Sequence, residues 1–183
     1  MSLLTPELRD KAELLRDHCK GRGFTLGIST TVRGPDVQAR LWCRSLTPED
    51  VARRRGFIAS AAPRIAALLK PEYSALGPRM TAHLPGQSWH QLGEALDVYA
   101  DLGGKAIWDG SIAHAVAEEC KIVGLFHSFN EKAWEPKSRH WHVQLRRYET
   151  PFHVKGLFDS WRDAERAMLE RFDLTSVDEA PSS

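Results

Sequence analysis

Two short segments of this 183-residue sequence place histidines beside residues that could share chemistry with them. The first, HLPGQSWHQLGEALDVYA (83–100), carries His90 and, seven residues later, Asp97, where a turn-rich stretch becomes an apolar run. A carboxylate inside an apolar strand is costly unless it is paired or bound to a metal. Asp97 therefore indicates either a metal site or an ion pair with an arginine, and His90 by itself is also compatible with a capping or surface histidine.

The second segment, SRHWHVQL (138–145), alternates polar and apolar residues in the way that is typical of a strand. Residues two apart on a strand point to the same face of the sheet. The polar face carries His140, His142 and Gln144, and the apolar face carries Trp141, Val143 and Leu145. The apolar face is sufficient to pack on a core, which leaves the two imidazoles available to a site.

These residue types suit zinc, which binds imidazole nitrogen and carboxylate oxygen. A catalytic zinc site uses three protein ligands and keeps a fourth position for water, whose pKa falls to about 7. His90, Asp97 and one histidine of the second segment would supply three ligands. His140 lies close enough in sequence, on the same face, to handle a proton.

The remaining sequence predicts the elements that must position these residues. Five helices are expected: one from Thr5–Pro6 to the glycines after residue 20, one at 34–45 opened by Pro35, one at 47–72 with a kink or division at Pro63, one at 111–124 ending at Gly124, and one at 159–172. Strands are expected at 24–30, 94–100 and 140–148. Residues 73–87 are expected to form a loop. This pattern predicts one α+β domain over residues 1–173, with helices around a small, mostly antiparallel sheet. Residues 174–183 are expected to form a disordered C-terminal tail.

Composition narrows the classes of function. Apolar residues make up 42% of the chain and charged residues 27%, while the net charge of +1 provides no basic field for nucleic acid. The run Arg53–Arg55 is typical of a solvated helix face, so we expect no nucleic-acid partner. No apolar run approaches the roughly 20 residues of a membrane span, and no secretory signal is visible, so we expect a cytoplasmic protein. Cys19, Cys43 and Cys120 are expected to be free, buried thiols.

The segment SWHQLGEALDVY resembles the Ser-x-His-x-x-Gly-x-Ala-x-Asp signature of zinc D-Ala-D-Ala peptidases and related peptidoglycan hydrolases, the M15 peptidase family. That family includes phage endolysins that cut L-alanyl-D-glutamate bonds. HWHVQL is similar to the family's second zinc segment. The resemblance implies a hedgehog/D,D-peptidase-like fold, with one zinc ion per chain on the sheet, held by His90, Asp97 and His142. It also implies that Ser88 lies in the substrate-binding region.

A third segment, STTVRGPDVQARLW, is similar to the family's segment in which an Arg is followed by a Gln and a Leu, here Arg33, Gln38 and Leu41. The resemblance implies that Arg33 lies near the reacting carbonyl, where it can stabilise negative charge, and that Gln38 contributes to substrate binding.

The chain departs from the family at one position. Many relatives carry a Glu or Asp three residues before the last histidine as general base, and this chain has Arg139 there. Another branch has a His two residues before the ligand, so the resemblance assigns proton transfer to His140. Glu131 and Glu135 remain alternatives for that role.

Together these features predict a zinc metallopeptidase that hydrolyses peptide bonds in peptidoglycan stem peptides. The D,D-carboxypeptidase and the L-Ala-D-Glu endopeptidase share these ligands, so both reactions remain open. The alternative is a non-catalytic zinc-binding module of the same fold. We expect a monomer whose partner is a peptidoglycan peptide. It could also be a phage or prophage protein that is released to the cell wall.

Overall fold

The structure, a computed structural model, describes residues 3–78, 80–107, 109–127, 141–145, 150–154 and 157–174. The helices in this part of the chain are α1 (Pro6–Gly21), α2 (Pro35–Cys43), α3 (Pro48–Ala59), α4 (Pro63–Leu68), α5 (Trp89–Leu92), α6 (Gly110–Val123) and α7 (Trp161–Arg171). The strands are β1 (Thr25–Thr30), β2 (Ala95–Leu102), β3 (Lys105–Ile107), β4 (Phe126–His127) and β5 (Trp141–Gln144). Short 3-10 turns lie at Pro71–Tyr73 and Pro151–His153.

The described strands form a small antiparallel sheet in the order β1-β2-β5-β4, with β3 also paired to β2. Strand β2 is therefore central, with β1 and β5 as its neighbours. Helices flank this sheet, which confirms the predicted α+β class with a small antiparallel sheet. The predicted hedgehog/D,D-peptidase-like fold stays a prediction.

Caps and prolines define where the longer helices begin. Thr5 Oγ1 accepts a hydrogen bond from the backbone N of Leu8 at the start of α1, and Thr47 does the same for Asp50 at the start of α3. Pro63 divides the predicted long helix into α3 and α4, because a proline ring removes a backbone donor and blocks the preceding turn.

The chain folds into two compact units, and the first consists of Met1–Val32 and Leu92–Arg147. Its core joins the apolar face of the sheet to α1 and α6. This core includes Leu8, Leu15, Leu26, Leu96, Val98, Val116, Cys120, Trp141 and Val143. Burying alternate residues of β2 and β5 in this core leaves Asp97 and His142 on the opposite face of the same strands.

The second unit consists of Arg33–Gln91 and Tyr148–Ser183, and it contains α2, α3, α4 and α7. Glu165 Oε2 accepts a hydrogen bond from the backbone N of Ile65 at 2.9 Å, which ties α7 to α4. Arg64 Nη1 donates to the carbonyl of Leu174, a buried residue, at 2.9 Å. The predicted tail otherwise lies outside the described residues, and the prediction of one domain over 1–173 stays a prediction.

None of the helices in the described ranges is both long enough and apolar enough to cross a membrane.

Candidate metal centre

Asp97 lies in the middle of the central strand β2, where it is 7% exposed. Its register partners are Thr30 on β1 and His142 on β5. The β1–β2 register shifts between Ile28 and Thr30, and Ser29 Oγ donates to the Asp97 carbonyl at 3.2 Å. Irregular pairing of this kind redirects side chains and is frequent beside functional sites. The sheet therefore fixes the backbone of Asp97 on both sides.

His142 lies directly opposite Asp97 on β5, between the core residues Trp141 and Val143. Its Nδ1 is 3.3 Å from Asp97 Oδ1. Its Nε2 is 2.8 Å from Oε1 of Gln144, the next residue on the same face of β5. Both ring nitrogens of His142 therefore face oxygen atoms, one from the neighbouring strand and one from its own strand.

His90 lies on the short helix α5 and is 2% exposed. Ser88, also buried, accepts a hydrogen bond from the backbone N of Gln91 through its carbonyl at 3.0 Å, which closes the turn that carries His90. Gly93 then adopts a φ of 71°, a left-handed conformation that disfavours side chains with a Cβ, and the chain continues into β2. The histidine and the carboxylate thus sit on one continuous helix–turn–strand segment.

The three predicted ligands come together. His90, Asp97 and His142 each offer one ligand atom, and these atoms all lie within 4.8 Å of one another. The cluster could hold a metal ion. Two imidazole nitrogens and one carboxylate oxygen form a donor set that fits a catalytic zinc site.

The cysteines do not compete for this role. Cys19, Cys43 and Cys120 are free and buried, as predicted, and none belongs to the cluster. Burial raises the pKa of the Cys19 thiol to about 12 and that of the Cys43 thiol to about 11, and it also raises the pKa of Cys120. The thiols are therefore protonated near neutral pH, whereas a metal ligand must be a thiolate.

Arg33, just before α2, is hydrogen-bonded to Gln38, which lies on α2. Arg33 Nη1 donates to Gln38 Oε1 at 3.1 Å, and the Arg33 backbone N donates to the His90 carbonyl at 3.4 Å. Gln38 is fully buried, and its Nε2 donates to the His83 carbonyl at 2.6 Å and to Thr81 Oγ1 at 3.1 Å. The Gln38 amide is thus engaged at both ends, which favours a role in holding Arg33. The substrate-binding role of Gln38 and Ser88 stays a prediction.

His140, the predicted proton-transfer residue, lies outside the described residues, as do Arg139, Glu131 and Glu135. Their assigned roles stay predictions.

Two further residues near His142 were not among the site residues predicted from the sequence. Gln144 was expected only to share a face with His142, and the contact between their side chains was not foreseen. His127 is 2% exposed on β4, where it pairs with Val143. Burial, and secondarily the charge of His142, lowers the pKa of His127 to about 4, so this ring is neutral at neutral pH.

Comparisons with protein-family models and with curated proteins find no match to this sequence.

Proposed function

We propose that this chain is a zinc-dependent metallopeptidase that hydrolyses peptide bonds in peptidoglycan stem peptides, on a hedgehog/D,D-peptidase-like fold. The observation that carries the proposal is the convergence of His90, Asp97 and His142, whose ligand atoms lie within 4.8 Å of one another. These are the three residues that match the zinc positions of the family signature in SWHQLGEALDVY and HWHVQL.

The donor set argues against ions that prefer oxygen ligands, and among the transition metals that bind imidazole the resemblance to the M15 family favours zinc. Magnesium and calcium prefer shells made entirely of oxygen, and a site with two imidazoles is poorly suited to them. Zinc in such a site would supply Lewis-acid polarisation of a substrate carbonyl and activation of water. His90 and Asp97 would hold it from one segment of chain, and His142 from β5.

Arg33 is proposed to stabilise the negative charge that develops on the substrate carbonyl oxygen, or to hold a substrate carboxylate. Its guanidinium donates to Gln38 Oε1, and an arginine held in this way can also donate to a carbonyl oxygen or pair with a carboxylate. A guanidinium that is already held by a hydrogen bond loses less side-chain conformational entropy when substrate binds. His140 is proposed to assist proton transfer, with Glu131 and Glu135 as the alternatives for that role.

The test is mass spectrometry of purified peptidoglycan fragments after incubation with the zinc-loaded protein, with a chelated sample beside it. We expect cleavage only with zinc, and its loss in His142→Ala. The matched control is His114→Ala, which removes an exposed histidine on α6. Loss of a terminal alanine would identify a D,D-carboxypeptidase, and release of the stem at its first L-alanine an endopeptidase.

Zinc bound by the wild-type chain without any cleavage would contradict the peptidase and favour the alternative, a non-catalytic zinc-binding module of the same fold.

A further inference from the structure

The two ring nitrogens of His142 face oxygen atoms at unequal distances. Nε2 lies 2.8 Å from Gln144 Oε1, within the normal range of an N–H···O bond, whereas Nδ1 lies 3.3 Å from Asp97 Oδ1, beyond that range. A neutral imidazole carries one proton, so only one of these nitrogens can donate. The shorter contact indicates that the proton belongs on Nε2.

Gln144 is well placed to control that proton. It is 9% exposed, and its backbone is paired on both sides, to Ala95 of β2 and to Phe126 of β4. Its side chain lies on the same face of β5 as His142, because the two residues are two apart on the strand. The amide oxygen is therefore presented to the ring from a backbone position that the sheet fixes.

We propose that Gln144 is a positioning residue that holds His142 in the tautomer with the proton on Nε2. The lone pair of Nδ1 then points toward Asp97 and is available to the metal. This inference rests on the proposed function, because it assigns Nδ1 as the donor atom of His142 in the proposed zinc site. An acceptor that bonds the other ring nitrogen orients an imidazole ligand, and its loss typically weakens metal affinity by about 10- to 100-fold.

The tautomer can be measured in the metal-free protein, independently of any activity. Long-range ¹H–¹⁵N correlation spectra at about pH 8, where histidine is mostly neutral, distinguish Nε2–H from Nδ1–H. The His142 signal is assigned by its absence in His142→Ala. We expect the Nε2–H form in the wild-type chain and in Gln144→Glu, which keeps an acceptor, and a shift toward Nδ1–H in Gln144→Leu.

Zinc affinity, measured by competition with a chelator, provides the second readout. Gln144→Leu should weaken zinc binding by about 10-fold or more, and Gln144→Glu should restore it. Val143→Ala is the matched control, since it removes a buried side chain from the core face of the same strand and leaves the imidazole contact intact. Its zinc affinity should equal that of the wild-type chain.

An Nδ1–H tautomer in the wild-type chain, or the same tautomer in wild type and Gln144→Leu, would overturn the inference whatever the zinc result. The same holds for equal zinc affinity in wild type and Gln144→Leu. A wild-type chain that shows the expected tautomers and binds no zinc would overturn the proposed function and the donor role of Nδ1, while the control of the ring by Gln144 would stand.

Discussion

Arg33 takes its position from a buried amide. Gln38 accepts from the guanidinium through Oε1 and donates through Nε2 to the His83 carbonyl and to Thr81. Because Gln38 has no exposed surface, its amide is anchored by protein groups alone in the part of the chain that the structure describes. At the scale of single residues, the spacing of Arg33 and Gln38 in the sequence therefore allows the buried Gln38 amide to hold the Arg33 guanidinium.

Replacing Gln38 with Leu removes the acceptor for Arg33. We expect kcat/KM for peptide hydrolysis to fall by about 10-fold or more, because hydrogen bonds to charged groups contribute about 1.5–3 kcal/mol. Zinc affinity should not change. Gln38→Glu is the comparison variant, since it keeps an acceptor for Arg33 but loses the Nε2 donor to the His83 carbonyl, and it should recover only part of the rate. Equal losses in the two variants would show that the contact with Arg33 is not the cause.

At the scale of elements, the turn between α5 and β2 sets the spacing of two ligands. Gly93, at a φ of 71°, stands between His90 and Asp97, and its carbonyl accepts from the backbone N of Thr5 at 3.0 Å. The left-handed conformation and the bond to the start of α1 together fix how the helix leads into the strand.

Gly93→Ala should destabilise the fold by about 1–2 kcal/mol, the cost of a left-handed conformation for a residue with a Cβ, and should also weaken zinc binding. Gly124→Ala is a matched control, since Gly124 has a φ of 73° at the end of α6, away from the ligand-bearing segment. Gly124→Ala should show a similar loss of free energy of unfolding, measured in urea, with unchanged zinc affinity. Equal zinc affinities in the two variants would contradict the role assigned to the turn.

The longer elements could be predicted because their signals are local. Thr5 and Thr47 cap helices, Pro63 breaks one, and Gly124 ends another, and each acts through its own backbone. The short elements α5, β3 and β4 were not predicted. A two-residue strand such as β4 exists only through its pairing with β5, and a four-residue helix is too short for a hydrophobic period.

The candidate site could be predicted in part for the same reason. The spacing of His90 and Asp97 and the polar–apolar alternation around His142 can be read from the sequence alone. The structure brings all three residues together. The contact from Gln144 to His142 depends on which rotamers the sheet allows, and the burial of His127 depends on a strand that only tertiary pairing creates.

At the scale of the whole molecule, a buried carboxylate on α6 links this helix to α1, which lies about 100 residues earlier in the sequence. Glu119 on α6, whose side chain is 6% exposed, lies 2.8 Å from His18 Nδ1 and 2.5 Å from Arg22 Nε, both near the end of α1. The His18 side chain is 33% exposed, so this contact lies at the edge of the two helices. The hydrogen bond from His18 and the Arg22 charge outweigh burial and lower the pKa of Glu119.

A carboxylate whose pKa is lower in the folded chain than in the unfolded chain stabilises the fold above its unfolded pKa, and that contribution is lost as pH falls through the folded pKa. Glu119→Gln should therefore cost about 1–3 kcal/mol in the free energy of unfolding at pH 7. The difference from wild type should shrink in urea unfolding at about pH 3, below the ordinary pKa of a Glu. A difference that grows toward low pH would contradict this assignment.

The proposed peptidase function depends on one zinc ion held by His90, Asp97 and His142. The most direct test is the zinc content of the purified chain, measured by mass spectrometry of the metal after dialysis, for wild type, His142→Ala and His140→Ala. We predict one zinc per chain in wild type and in His140→Ala, and none in His142→Ala, because His142 supplies a ligand atom to the cluster and His140 is assigned to proton transfer. Zinc retained at full occupancy in His142→Ala would contradict the proposed site.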